Sequence, residues 1–90
     1  MILSVEISMY PLQEDYKAKI KDFLEDINQK ASDKDIEIRT SNMSTRLFGD
    51  YDSLSALLQD AMKRSMQEYG KIVFVCKYLQ GDARELKSYD

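Results

Sequence analysis

Four polar side chains near the start of the chain are spaced two residues apart, and together they could bind a small polar molecule. They are Ser4, Glu6, Ser8 and Tyr10. Alternate side chains of a β-strand point to the same face, so this row would present two hydroxyls, a carboxylate and a phenol side by side. Such groups donate and accept hydrogen bonds at fixed positions, which suits a flat, polar heterocycle. The spacing therefore predicts a ligand-binding surface on the first strand.

Each side chain of this polar row also has an interpretation without a ligand. Ser4 and Ser8 can be small residues that a strand tolerates, and the phenol can pack against its neighbours. Glu6 can form a cross-strand ion pair with Arg39 or Arg46, worth about 0.2–1 kcal/mol. The residues alone leave these alternatives open.

The composition predicts one globular domain and argues against membrane insertion and nucleic-acid binding. Ninety residues are expected to form a single domain, residues 1–90, with a core over about 2–79 and a surface tail over 80–90. No run of 18 apolar residues is present, so we expect no membrane insertion. The net charge of −3 argues against nucleic-acid binding. Cys76 is the single cysteine and cannot form an internal disulfide, which is typical of a cytoplasmic protein.

The residue types also argue against catalysis. The chain has no histidine, so it cannot form a Ser–His or Cys–His catalytic pair. Without histidine and with one cysteine, a zinc site is not expected. The three glycines are too scattered for a phosphate-binding loop. We therefore expect a binding protein with no catalytic residue, no metal and no cofactor.

Periodicity along the chain predicts six elements in the order strand, helix, strand, strand, helix, strand. Apolar residues at helical spacing mark a first helix over 13–31, with Glu14 and Asp15 in its first turn. A second helix would be capped by Asp50 or Asp52 and ended by Gly70. Alternating or apolar runs predict the strands that follow the opening one, over 36–41, 44–48 and 71–79.

This order predicts an α+β fold of ferredoxin-like βαββαβ topology, an antiparallel four-stranded sheet with two helices on one face. Strands one and three would be central. The apolar residues of strand one would face the helices, and the polar row would lie on the open face. The candidates to join that row are Glu37, Arg39 and Ser41 of strand two and Ser44, Arg46 and Phe48 of strand three. Strand four is apolar on both sides, so the pattern does not decide which of its side chains lie there.

Two stretches, "SVEISMYPL" at the start and "TSNMSTRLFGDYDSL" in the middle, resemble the thiamine/hydroxymethylpyrimidine-binding proteins over about residues 2–79. The resemblance implies binding of thiamine or of its hydroxymethylpyrimidine moiety, in salvage or transport. It also implies that residues of the matching polar segments contact the ligand. These are Ser8, Tyr10, Asn42, Ser44 and Thr45.

The predicted ligand site therefore consists of Glu6, Ser8, Tyr10, Asn42, Ser44 and Thr45. Glu6 would attract the cationic thiazolium of thiamine, so Glu6→Gln is expected to weaken binding of that ligand. An apolar fourth strand at a sheet edge leaves backbone groups unpaired, which predicts a homo-oligomer, at least a dimer. The alternative function is an ACT-like regulatory or assembly module with a different small ligand.

Overall fold

The structure is a four-stranded antiparallel sheet covered on one face by two helices. It is a computed structural model that describes residues 1–85. The elements are β1 (Ile2–Pro11), α1 (Tyr16–Ala31), β2 (Glu37–Thr40), β3 (Thr45–Asp50), α2 (Tyr51–Tyr69) and β4 (Ile72–Gln80). The strand order is β2-β3-β1-β4, so β1 and β3 are central and β4 is an edge strand. The predicted ferredoxin-like fold is confirmed.

The core lies between the sheet and the two helices. Leu3, Val5 and Ile7 of β1 are buried there, and Met9 packs at its margin. The apolar stripes of the helices cover them, with buried residues Phe23, Ile27 and Ala31 on α1 and Leu54, Leu57, Leu58, Ala61 and Ser65 on α2. The alternation of β1 therefore separates a helix-facing side from an open face, as predicted.

The first helix begins later than the sequence predicts. Strand β1 continues through Pro11, which pairs with Ile72 of β4, and the backbone N–H of Leu12 still donates to the carbonyl of Lys71, at 3.2 Å. Glu14 and Asp15 therefore precede α1 instead of occupying its first turn. The prediction was wrong because a proline at the end of a strand, where the strand is paired on one side only, does not interrupt it.

The second helix has the ends that the sequence predicts. Asp50 is its N-cap, and its carboxylate accepts a hydrogen bond from the backbone N–H of Ser53 at 3.2 Å. This bond lowers the pKa of Asp50. Gly70 follows the last turn with φ of 87°, a conformation that glycine adopts without a steric penalty.

The open face of the sheet carries the polar row together with apolar residues of β4. Val73 and Val75 pair with Tyr10 and Ser8 and are 44% and 46% exposed, so the register decides which side of β4 lies on this face. Gln80, predicted as the start of the tail, is the last residue of β4. Residues 86–90 of the predicted tail lie outside the described residues. No helix within residues 1–85 is long and apolar enough to cross a membrane.

Candidate functional site

A cleft of about 520 Å³ opens between the sheet and the first half of α1. Its floor is apolar, and its wall carries hydroxyl groups and one amide. The floor residues are Ile7, Met9, Ile20, Phe23 and Leu24, the wall residues are Ser8, Thr40, Ser41, Asn42, Ser44 and Thr45, and the rim residues are Tyr10, Pro11, Leu12, Tyr16 and Met43. We call this site the hydroxyl cleft.

The hydroxyl cleft exists because β1 pairs with β3 over fewer residues than it pairs with β4. The pairing of β1 with β3 ends at Ile7 opposite Thr45, whereas its pairing with β4 continues to Pro11. On the β3 side, residues 8–11 are therefore flanked by the loop 41–44 instead of by a strand. The Ser8 hydroxyl contacts this loop and donates to the carbonyl of Met43 at 3.4 Å.

The loop between β2 and β3 is held in shape by its own serines. The backbone N–H of Ser41 donates to the carbonyl of Ser44 at 2.9 Å, and the Ser41 hydroxyl donates to the same carbonyl at 3.1 Å. Below the loop, the hydroxyls of Thr40 and Thr45 lie 3.3 Å apart and share one hydrogen bond. A hydroxyl has one donor and two acceptor positions, so both threonines keep capacity for a further partner.

The side chains that line the hydroxyl cleft within residues 1–85 are uncharged at neutral pH. The nearest carboxylate of the polar row, Glu6, lies beyond the wall. Its Oε2 accepts a hydrogen bond from the Ser44 hydroxyl at 3.0 Å, and its Oε1 lies 3.5 Å from the Lys77 ammonium. Glu6 therefore contacts a wall residue without lining the hydroxyl cleft.

Five of the six predicted ligand residues line this one cleft, namely Ser8, Tyr10, Asn42, Ser44 and Thr45. Glu6 does not line it. Its ion-pair partner is Lys77, so the suggested pairing with Arg39 or Arg46 was wrong. The binding role of the six residues stays a prediction.

The hydroxyl cleft extends to the helix-facing side of the sheet, beyond the open face where the sequence analysis placed the site. Thr45 pairs with Ile7 and shares its helix-facing side, and the floor combines Ile7 and Met9 of β1 with the apolar stripe of α1. The sequence analysis missed three lining residues, Ile20, Phe23 and Leu24. An apolar stripe on a helix indicates that its residues are buried, but it does not distinguish a closed core from the floor of a cleft. The short β2 followed by a serine-rich loop was the available signal.

A second cavity, of about 340 Å³, lies on the open face at the other end of β1. It is lined by Ser4, Val5, Glu6, Arg46, Phe48, Lys77, Leu79 and Ala83. Residues 81–84 fold back over this end of the sheet, and we call them the tail segment. The Ser4 hydroxyl donates to the carbonyl of Gly81 at 2.7 Å and accepts from the backbone N–H of Ala83 at 2.9 Å.

Contacts of two arginines hold the tail segment against the sheet. The guanidinium groups of Arg39 and Arg84 lie 5.4 and 5.6 Å from the centre of the Phe48 ring, a distance at which a cation is attracted to the ring face. Arg84 also pairs with Glu37 and Asp82, at 3.3 and 2.9 Å. Hydrogen bonds from Arg39 and Arg84 lower the pKa of Glu37, and those from Arg84 lower the pKa of Asp82.

Comparisons with known proteins indicate a family and a shared fold. The sequence model of the YKOF-related family matches residues 2–84. No curated protein matches the chain. No group of residues that could hold a metal ion is found within residues 1–85.

Three solved structures share the fold at low sequence identity. A domain of unknown function from Bacillus cereus superimposes with a TM-score of 0.76 at 14% identity, covering 100% of this chain and 91% of that one. A protein from Streptococcus pneumoniae gives 0.73 at 17% identity, covering 96% and 93%. A Thermotoga maritima protein, described as a proposed thiamine biosynthesis/salvage protein, gives 0.65 at 14% identity, covering 87% and 82%.

Proposed function

This chain belongs to the YKOF-related family, and on that premise we propose that it binds thiamine or its hydroxymethylpyrimidine moiety without catalysing a reaction. The observation that carries the proposal is the hydroxyl cleft, whose apolar floor and hydroxyl wall suit a flat heterocycle with polar atoms along one edge. The description of the Thermotoga maritima neighbour as a proposed thiamine biosynthesis/salvage protein supports it. A role in salvage or transport would follow.

The chemistry of the ligand matches the wall of the hydroxyl cleft. An aminopyrimidine has an amino donor and two ring acceptors, which hydroxyl and amide groups can satisfy directionally. Thr40 and Thr45 sit above the apolar floor with capacity for such bonds. The rings of Tyr10 and Tyr16 stand at the rim, where they could stack on the heterocycle or face a thiazolium cation.

A binding role without turnover is supported by the residue types that line the hydroxyl cleft. Its polar side chains are serines, threonines, one asparagine and two tyrosines, groups that donate and accept hydrogen bonds. A serine or threonine nucleophile needs an adjacent general base for activation, and the carboxylate that contacts the wall, Glu6 on Ser44, is also paired with Lys77. We therefore expect that bound thiamine is recovered unchanged after prolonged incubation.

Calorimetric titration and a thermal melt test this function. We expect heat of binding and a raised melting temperature with thiamine, with the pyrimidine, or with both. At a ligand concentration 100 times the dissociation constant, the stabilisation should be about 2.7 kcal/mol. Thr45→Val, which removes one buried hydroxyl from the wall at nearly constant size, should weaken binding. Ser53→Ala, at the exposed start of α2, is the control. No response to either ligand, with a response to an amino acid, would favour the ACT-like alternative.

We also propose that the protein associates into homo-oligomers of at least two copies, in the cytoplasm. Strand β4 is an edge strand with unpaired backbone groups that a second copy could pair with. Its exposed Val73, Val75 and Leu79 would be covered by that copy. Burial raises the pKa of the Cys76 thiol, so this cysteine fits an unreactive apolar role. Sedimentation equilibrium at micromolar concentration should show a species heavier than the 10.5 kDa chain; a single 10.5 kDa species would contradict the proposal.

A further inference from the structure

We propose that the hydroxyl cleft selects unphosphorylated ligands and discriminates against their phosphate esters. This inference rests on the proposed function and adds a chemical class to it. Among residues 1–85, those that line the hydroxyl cleft include no arginine or lysine. Phosphate groups in proteins are usually held by such side chains or by backbone N–H groups at a helix start. Without a cationic side chain in the lining, a phosphate that enters loses hydration and gains no opposite charge there.

Lys19, in the first turn of α1, is already bound away from the cleft lining. The Lys19 ammonium donates to the side-chain carbonyl of Gln13 at 2.6 Å and to the backbone carbonyl of Glu14 at 2.9 Å. It also lies 5.7 Å from the centre of the Tyr69 ring. Moving this ammonium to a phosphate in the cleft would break both hydrogen bonds, so Lys19 does not supply a free counter-charge.

The start of α1 is a feature of the rim that would attract an anion, and two carboxylates precede it in the sequence. Tyr16, the first residue of the helix, lines the hydroxyl cleft. Glu14 and Asp15 immediately precede it, and Asp15 makes no side-chain capping bond. Their negative charges oppose the positive end of the helix dipole. Two acids therefore act against a phosphate that approaches the first N–H groups of α1, and the exposed Lys17 beside them balances one of their two charges.

The apolar floor strengthens this discrimination. Phe23 is buried and Ile20 and Leu24 are partly buried beneath the hydroxyl cleft, so the local dielectric constant is below that of water and an uncompensated charge is more costly. A neutral hydroxymethylpyrimidine has no such cost. Thiamine carries its positive charge on the thiazolium, which the tyrosine rings at the rim can face.

Calorimetric titration of four compounds tests the inference: hydroxymethylpyrimidine, its phosphate ester, thiamine and thiamine monophosphate. We expect each ester to bind at least about tenfold more weakly than its parent. Asn42→Lys places a cation in the exposed part of the wall and should narrow this gap. Gln67→Lys, which adds the same charge on the exposed side of α2, should leave it unchanged.

Two results would overturn the inference, and they are distinguishable. Esters that bind as tightly as their parents would refute the selectivity and leave the proposed function standing. If none of the four compounds binds, the proposed function itself fails and the selectivity fails with it. A gap that Gln67→Lys narrows as much as Asn42→Lys would assign the effect to net charge instead of to the hydroxyl cleft, and would also refute the inference.

Discussion

The two ends of the polar row on β1 have the same sequence pattern but different environments. At one end, Ser4 is only 5% exposed, and the tail segment satisfies its hydroxyl as both donor and acceptor. At the other end, the Ser8 hydroxyl donates a long hydrogen bond to a loop carbonyl, and Tyr10 is 52% exposed. The alternation of a strand sets the direction of each side chain, whereas the segments that cross the strand set whether it is covered.

The difference assigns different roles to the two ends. The tail-covered end has its polar groups paired within the protein, with Phe48 only 2% exposed beneath two guanidinium groups, so it contributes to stability. The cleft end has hydroxyls with spare hydrogen-bonding capacity above an apolar floor, so it is free to bind a ligand. We therefore expect substitutions at the first end to change the free energy of unfolding, and those at the second to change affinity.

The largest expected effect separates a core residue under the hydroxyl cleft from one far from it. Phe23 lines the hydroxyl cleft and contacts Phe74, with ring centres 5.1 Å apart, whereas Leu57 is buried without lining it. Phe23→Ala and Leu57→Ala should each lower the free energy of unfolding by about 2–5 kcal/mol. Only Phe23→Ala should also weaken binding of thiamine or the pyrimidine. Urea melts and titration of both variants check this, and equal loss of affinity would remove the distinction.

The same substitution at two positions of the row compares its ends directly. Ser4→Ala leaves the Gly81 carbonyl and the Ala83 N–H without their partner, so we expect a loss of about 1–2 kcal/mol in stability and unchanged affinity. Ser8→Ala removes a long, exposed hydrogen bond, so stability should change by less than about 0.5 kcal/mol while affinity falls. Urea melts and calorimetry of both variants provide the measurement. The reverse pattern would show that the roles of the two ends are exchanged.

Much of the fold follows from local patterns because direction and periodicity are local properties. The faces of β1, the stripe of α2 and its caps at Asp50 and Gly70 were all predictable from nearby residues. The start of α1 was not, because the pairing of Pro11 with Ile72 joins residues far apart in the sequence. Strand pairing at a distance is a tertiary effect that outweighs local propensity.

The candidate site was predictable in its residue types and less so in its position. Five predicted residues meet at the hydroxyl cleft, but Thr45 does so from the helix-facing side and Glu6 stays outside. The missing information was where β3 stops pairing with β1, since that register leaves the gap beside residues 8–11. The tail segment was equally hidden, because a polar sequence such as "GDARE" does not indicate what it covers.

A smaller effect is expected at Glu6, between the two ends. Glu6→Gln removes an exposed ion pair with Lys77, worth about 0–1 kcal/mol, and an amide oxygen can still accept from the Ser44 hydroxyl. Because Glu6 does not line the hydroxyl cleft, affinity for thiamine and for the pyrimidine should fall equally, by at most about fivefold. This revises the expectation of a specific loss for the cationic ligand. Titration of both ligands decides, and a loss confined to thiamine would restore the direct contact of Glu6 with the thiazolium.

The smallest expected effect is the acid sensitivity of the tail-covered end. The pKa values of Glu37 and Asp82 are lowered below their ordinary values of 4.5 and 3.8, because arginines hold both carboxylates in their charged form. A carboxylate with a depressed folded-state pKa stabilises the protein above its unfolded-state pKa, and this contribution is lost as the pH falls through the folded-state pKa. The native protein should therefore lose this part of its stability below about pH 4.5.

Glu37→Gln should remove part of that loss, whereas Glu25→Gln, at an exposed position on α1, should leave the dependence of stability on pH unchanged. Urea melts between pH 7 and pH 3 measure the slope of stability against pH. Both groups are exposed and screened by solvent, so the change in slope should be small, and it should shrink further in high salt. Identical slopes for the native protein and Glu37→Gln at low salt would show that the ion pairs of Glu37 with Arg39 and Arg84 contribute nothing to the stability of the folded state.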